Sequence, residues 1–271
     1  MIVDGKRMAG DVLDTLVGER AAFGPLTLGV VMSAGDAATI SFVKIKTRAA
    51  ATLGVDIARI ELGPDADTQE AAYAVQELVK NTQGIIVQLP LPQNVDLAAV
   101  LEALPASHDV DALGGGRLVR PPVAEAVAEI LTKNNVAAAG KTAVVVGAGR
   151  LVGAPAAQLL RDLGARVEVV TKSKSSLACL KNADIVVLGA GEPGLVVPAM
   201  LKEGVVLIDA GTSDGMRLPA GRQGRLAGDA APECAEVASI FTPVPGGVGP
   251  LAVAMIFKNL LVLAKAQRTP L

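Results

Sequence analysis

The chain has 271 residues, 51% of them hydrophobic and only 2% aromatic, with 25 Lys and Arg against 27 Asp and Glu for a formal net charge of −2. That balance excludes the bulk electrostatic footprint of a nucleic-acid or membrane-surface protein. The length suffices for one large domain or two of ordinary size. Cys179 and Cys234 match no metal or redox spacing, so they are expected as thiols in a reducing compartment, with no metal site. The opening MIVDGKRMAG lacks the apolar core of a secretory signal, and the expected location is cytoplasmic.

Taken in chain order, short apolar runs alternate with amphipathic stretches. A helix is predicted near 8–19, a strand over LTLGVVM (26–32), a helix over 37–53 and another over 68–81. The strand GIIVQL (84–89) and a helix near 96–104 follow. HDVDALGGGRLVRPP (108–122) then places three consecutive glycines ahead of two prolines, a composition that suits neither a helix nor a central strand and marks a domain boundary. Beyond it come a helix over 122–134, the strand TAVVVG (142–147), a helix over 151–163, and the strands RVEVVT (166–171), DIVVLG (184–189) and VVLIDA (205–210). VVVGAGR (144–150) and VVLGAGE (186–192) read as two strands ending in tight glycine turns at one edge of one sheet. The Gly- and Arg-rich stretch 215–229 reads as an exposed loop without chemistry. Lys258 and Asn259 interrupt the apolar run of the last helix, 250–267, which is therefore not expected to span a membrane. Strands separated by helices pair in parallel, because a parallel pair needs a crossover. The fold class is α/β, in two α/β domains over 1–115 and 116–249.

GAGRLVGAP (147–155) follows a strand and opens a helix, the context in which small residues let a backbone approach a pyrophosphate and a helix N-terminus offers N–H groups. Gly153 falls one residue later than the third glycine of GxGxxG, so the fingerprint is partly matched. The second domain is thus expected to be Rossmann-like, with Gly147, Ala148, Gly149, Arg150 and Val152 at the dinucleotide, a merely tight turn being the alternative. The next strand runs into TKSKSS (171–176), where an NAD site usually presents an acidic residue to the ribose. Lys172, Ser173 and Lys174 suit a 2′-phosphate instead, which favours NADP over NAD, with a solvated basic turn as the alternative.

SFVKIKTR (41–48) threads two lysines between apolar residues. At about 100° per residue, Lys46 falls roughly 40° from Phe42 and between Ala49, Ala50 and Leu53, while Lys44 and Arg48 fall on the opposite side. Asp36 or Thr39 can cap the start and Gly54 can close the end. A lysine on a buried face loses hydration, which lowers its pKa and suits it to acid–base work. A snorkelling ammonium is the alternative.

These pieces, with VQLPLP (87–92), DVDAL (109–113) and TPVPGGVGP (242–250), resemble the bifunctional methylenetetrahydrofolate dehydrogenase/cyclohydrolases over nearly the whole chain and in the same order. The resemblance implies that folate lies in a cleft between the two domains and that helix 250–271 packs back on the first. It implies hydride transfer from methylenetetrahydrofolate to NADP (NAD being possible), then hydrolysis to 10-formyltetrahydrofolate, within one-carbon metabolism and purine biosynthesis. Lys46 is implied as the catalytic lysine, Gln88 as its partner and Asp111 as the pterin anchor. Phe42, Val87, Leu89, Pro245, Gly246, Gly247 and Pro250 are implied at the substrate, and Thr212 at the dinucleotide. A homodimer is implied as well.

The chain departs from the family's pattern at several positions. Phe42 replaces the usual Tyr and lacks its hydroxyl, so a dehydrogenase without cyclohydrolase activity stays open beside the bifunctional reading. Ala112 replaces a Gly and is expected to forbid a positive φ there. The usual PCTPxG becomes Pro121–Ala126, which keeps a non-catalytic folate- or nucleotide-binding module in view. Ala148 and Gly149 replace an Arg of some members and a Ser, and Ala252 a Thr. His108, the only histidine, is expected in an exposed loop.

Overall fold

The computed structural model describes every residue except Asp36, Arg117, 172–176, 213–225 and 269–271. Seven α-helices and eight strands are present among the described residues. They are α1 (Gly5–Arg20), β1 (Thr27–Ser33), α2 (Ala37–Leu53), β2 (Asp56–Leu62), α3 (Thr68–Val79), β3 (Gly84–Val87), α4 (Leu97–Glu102), α5 (Pro122–Lys133), β4 (Thr142–Val146), α6 (Gly153–Asp162), β5 (Arg166–Val170), β6 (Ile185–Leu188), β7 (Val206–Asp209), β8 (Ile240–Phe241) and α7 (Val248–Arg268). The chain divides into two compact units. One is Gly10–Pro122 with the residues from Val253 on, and the other is Met1–Ala9 with Val123–Ala252.

The first unit is built on a parallel sheet of order β2-β1-β3, with β1 central. Alternation along the strands sends Leu28, Val30, Met32 and Ile86 to one face and Val31, Ile85 and Val87 to the other, and helices cover both. The first face packs on Val43, Ala49, Ala50 and Leu53 of α2 and on Ile256, Phe257, Leu260 and Leu263 of α7. The second packs on Ala71, Ala74, Val75 and Leu78 of α3 and on Val100 and Leu101 of α4. Both covering helices on that side start on a side-chain cap: Asp67 forms a capping box with Glu70, and Asp96 accepts from the Ala98 N–H. Gly54, at φ 59, ends α2. By length and composition α7 is apolar enough to cross a membrane, yet Ile256, Phe257, Leu260, Leu261 and Leu263 lie in the protein's own core.

The second unit holds a parallel sheet of order β5-β4-β6-β7-β8. The chain leaves β4 toward β5 on one side and returns past β4 to β6 on the other. That reversal between β4 and β6 is a topological switch point, where the carboxyl ends of two neighbouring strands open a crevice. Val146 and Leu188 are in register at the ends of β4 and β6, so the two glycine turns that follow do leave one edge side by side.

Two strands are absent from the sequence-based expectations. β2 (DIARIEL) is a sheet edge whose Arg59 and Glu61 are exposed, and these charges hide its strand character. β8 is two residues long. The helix after the glycine turn starts at Gly153 rather than at residue 151, because the turn takes two residues more.

Candidate active site

In the first unit, α2 carries Lys46 on its half-buried side, while Lys44 and Arg48 are exposed. Lys46 Nζ donates to Gln88 Oε1 across 2.6 Å. Gln88 directly follows β3, and the neighbouring strand β1 holds its backbone, the Gln88 N–H donating to Val31 O at 2.8 Å. Its amide nitrogen donates to Leu89 O at 2.9 Å, so the side-chain oxygen is the end presented to Lys46. Burial lowers the Lys46 pKa, and the Asp111 carboxylate opposes that fall. Burial also raises Asp111, to about 6, against the pull of Lys46, and Asp109 pushes it further up. A half-buried amine, a carboxamide that orients it and a carboxylate that titrates near neutrality are thereby brought together by α2, β3 and the loop after α4. This group can hold or pass a proton without leaving its place.

Asp111 sits in a fixed turn. Ile85 N–H donates to His108 O at 2.6 Å, and Ala112 N–H to Asp109 O at 3.3 Å. Asn259 of α7, 3% exposed, donates to Val110 O and to Arg120 O, each at 2.8 Å. Ala112 adopts φ 52, which corrects the expectation that an alanine there forbids a positive φ. The bonds on either side hold the residue in a conformation that is strained for a side chain, not forbidden to it. His108 is half-buried rather than exposed, its ring beside Ser107 Oγ. Val87 is buried, so it can offer a ligand only its main chain, and Leu89 is half-buried. Phe42 belongs to α2 by its backbone, and its side chain lies outside the described residues.

In the second unit, Gly147 has φ 101, and a methyl group added to it would fall 2.4 Å from Gly189 O. One added to Gly153 would fall 2.0 Å from Gly147 O. Gly153 therefore performs the close helix–strand contact of the third glycine in spite of its offset. Ala148, Gly149 and Arg150 are exposed on the turn, and Val152 is half-buried against Gly189. No side chain caps the start of α6, but Ala154 N–H donates to Gly149 O and Ala156 N–H to Val152 O, each at 3.0 Å, and Pro155 has no N–H. A dinucleotide pyrophosphate fits the side-chain-free, closely packed backbone of this turn. Thr212 is exposed just past β7, whereas Lys172 and Ser173 lie outside the described residues. In the segment leading into α7, Pro245 is exposed, Gly246 half-buried and Gly247 buried, while Pro250 is half-buried in the first turn of α7 itself.

Residues 3–111 match the family described as "Tetrahydrofolate dehydrogenase/cyclohydrolase, catalytic domain", and residues 121–268 match its "NAD(P)-binding domain". The chain belongs to the tetrahydrofolate dehydrogenase/cyclohydrolase family. It is 36% identical to the "Bifunctional protein FolD" of Methanospirillum hungatei over 280 residues, 98% of each chain. The methylenetetrahydrofolate dehydrogenase-cyclohydrolase of Trypanosoma brucei, solved with NADP cofactor and an inhibitor, superposes with a TM-score of 0.93 at 33% identity, covering 100% of this chain and 99% of that one. The bifunctional enzyme of Campylobacter jejuni gives a TM-score of 0.90 at 29% identity, covering 98% and 99%.

Within this family member, three polar residues have structural roles that the sequence reading did not assign. Asp229 is fully buried and accepts the N–H groups of Ala190 (2.6 Å), Gly191 (3.2 Å) and Glu192 (2.7 Å), fixing the turn after β6. Asp109 and Asn259 fix the turn that carries Asp111. The sequence offered a signal for Asn259 alone, which breaks the apolar run of the last helix together with Lys258.

Proposed function

We propose that this protein oxidises 5,10-methylenetetrahydrofolate with NADP and hydrolyses the resulting methenyl compound to 10-formyltetrahydrofolate. The observation that carries the reading is the 2.6 Å bond from Lys46 to Gln88, made by an amine whose ammonium form is disfavoured by burial. Lys46 takes the proton from the water that adds to the methenyl carbon and returns it to the departing ring nitrogen. Gln88 holds the amine in the orientation for both transfers. Asp111, ionised above about pH 6, accepts hydrogen bonds from the pterin amino group. Val87 through its main chain, with Phe42 and Leu89, forms the substrate surface beside this group, and Pro245, Gly246, Gly247 and Pro250 supply a further backbone wall.

The turn Gly147–Val152 and the start of α6 hold the dinucleotide, with Thr212 at the next strand end and Lys172 and Ser173 at the 2′-phosphate. NADP bound there supplies the hydride acceptor. In this reading 1–115 with 250–271 is the folate half and 116–249 the nucleotide half. The same kinship extends the proposal to a cytoplasmic homodimer that provides one-carbon units for purine assembly.

The test supplies purified protein with methylenetetrahydrofolate and NADP, then NAD, following reduced nicotinamide and, separately, the decay of added methenyltetrahydrofolate. Both signals are expected, with NADP preferred, and Lys46→Ala is expected to lose hydrolysis. Hydride transfer without hydrolysis makes the enzyme a dehydrogenase alone, with the hydroxyl missing at Phe42 as the cause. Absence of both, with folate still bound, overturns the enzyme reading.

A further inference from the structure

We infer that Asp109 is a positioning residue for Asp111: its buried carboxylate closes the turn on which Asp111 stands and places a second negative charge two residues away. The inference rests on the reading of Asp111 as the pterin anchor.

The geometry comes first. Asp109 is 2% exposed, and its Oδ2 accepts the Gly114 N–H at 2.8 Å, bridging the whole turn that contains Asp111 and Ala112. Its other oxygen, Oδ1, is buried and makes no hydrogen bond of normal geometry. A buried carboxylate with one oxygen unmatched is costly, and a purely structural need for an acceptor at Gly114 would be met by an uncharged side chain. Burial raises the Asp109 pKa, and the amides of Gly114, Leu113, Asp111 and Ala112 hold it back, so the turn's own N–H groups act as the solvent for this charge. Those amides are drawn in around Asp109 while Ala112 takes its left-handed φ of 52. The carboxylate thus offsets the strain of that alanine.

The charge then acts on Asp111, two residues away. Among the described residues, the charged groups acting on Asp111 are Lys46 from α2, which favours its ionised form, and Asp109 from its own turn, which opposes it. Gln88, beyond β3, is neutral. Burial is the main reason that the Asp111 carboxyl is raised to about 6; Asp109 adds to that rise and works against Lys46.

Asp109→Asn and Asp109→Ala separate the two parts. Asparagine keeps an acceptor for Gly114 and removes the charge, so its folate KM at pH 8 is expected within about twofold of the parent. Its acid limb of kcat/KM is expected to move down by roughly one pH unit, the size of a close like-charge effect, which raises the fraction of plateau rate retained at pH 5.5 about threefold. Alanine also releases the turn, and its folate KM is expected to rise about tenfold, with part of that recovered in Asp109→Ala/Ala112→Gly, where the left-handed residue needs no support. Thermal melts of each variant verify folding, and Asp111→Asn is run beside them. An Asp109→Asn variant that melts like the parent with an unmoved acid limb overturns the electrostatic part. An Asp109→Ala variant that folds with the parent's KM overturns the positioning part. Should Asp111→Asn keep the parent's KM and acid limb, the reading of Asp111 as anchor fails and takes this inference with it.

Discussion

Asp209 and Asp229 are locked into one another's loops: a methyl group built on Gly228 would fall 2.2 Å from Asp209 Oδ2, and one on Gly211 would fall 2.2 Å from Asp229 Cγ. Asp209, 1% exposed, accepts from Gly211 N–H at 2.9 Å and Ala230 N–H at 2.8 Å. Burial pushes its carboxyl up to about 6, with Asp229 adding to the rise and the two N–H groups opposing it. A folded-state pKa above the unfolded value of 3.8 means that the native protein holds the extra proton between pH 3.8 and about 6. The stability tied to that proton is full below 3.8 and is lost as pH rises through 6. Asp209→Asn removes this dependence, so its deficit relative to the parent is expected to be larger at pH 4 than at pH 7.5, by about 3 kcal/mol at most. Urea titrations of both proteins at the two pH values measure it, and a deficit larger at pH 7.5 would contradict the sign.

Removing the Lys46 charge tests the coupling in the first unit. Lys46→Met keeps most of the side-chain volume and leaves Asp111 without its nearby cation. The Asp111 carboxylate then loses the only favourable charge acting on it among the described residues, and its titration is expected to move above 6. Tetrahydrofolate binding followed against pH should show the acid limb shifted upward by about one unit, the opposite direction from Asp109→Asn. A limb unchanged by Lys46→Met would mean that the two groups do not share their proton equilibrium.

Much of this site was legible before the fold was known, for a physical reason. The 3.6-residue period of α2 fixes which side chains share a side, so Lys46 could be placed with Ala49, Ala50 and Leu53 and apart from Lys44 and Arg48, as found. The central strands were legible because burial on both faces makes them continuous apolar runs. β2 was not, because an edge strand tolerates Asp56, Arg59 and Glu61. Asp229 was illegible for a deeper reason: its donors lie 37 to 39 residues earlier in the chain, and no local pattern carries that pairing. Ala112 shows the converse limit, since local propensity argued against a conformation that bonds from Asp109 and Asn259 enforce.

Asn259 of α7 is a buried polar side chain, 3% exposed, that binds two carbonyls on the boundary loop. Asn259→Leu preserves size and leaves both carbonyls without that donor. At about 1 to 1.5 kcal/mol per bond, the loss is expected to be about 2 to 3 kcal/mol. Because Val110 O is one of the two acceptors, the loop carrying Asp111 should loosen, raising folate KM more than NADP KM. Equilibrium unfolding and the two KM values are the measurements, and equal rises in both constants would count against a local effect.

The glycine turn offers a comparison within a single motif. Gly149 is exposed, has no positive φ, and nothing lies within 4 Å of a methyl group added there. Gly153 is equally free of a positive φ, but its added methyl group would fall 2.0 Å from Gly147 O and 2.6 Å from Gly147 C. The clash is with backbone, so relief requires α6 to move away from the end of β4. Gly149→Ala is therefore expected to melt within about 1 kcal/mol of the parent, whereas Gly153→Ala should lose roughly 2 kcal/mol or more, in the range of overpacked cores. The same displacement would carry the start of α6 away from the Gly147 turn, so Gly153→Ala should also raise NADP KM at least tenfold while leaving folate KM near the parent's. If the two alanine variants melted alike, the close contact between Gly147 and Gly153 would not be what seats this helix.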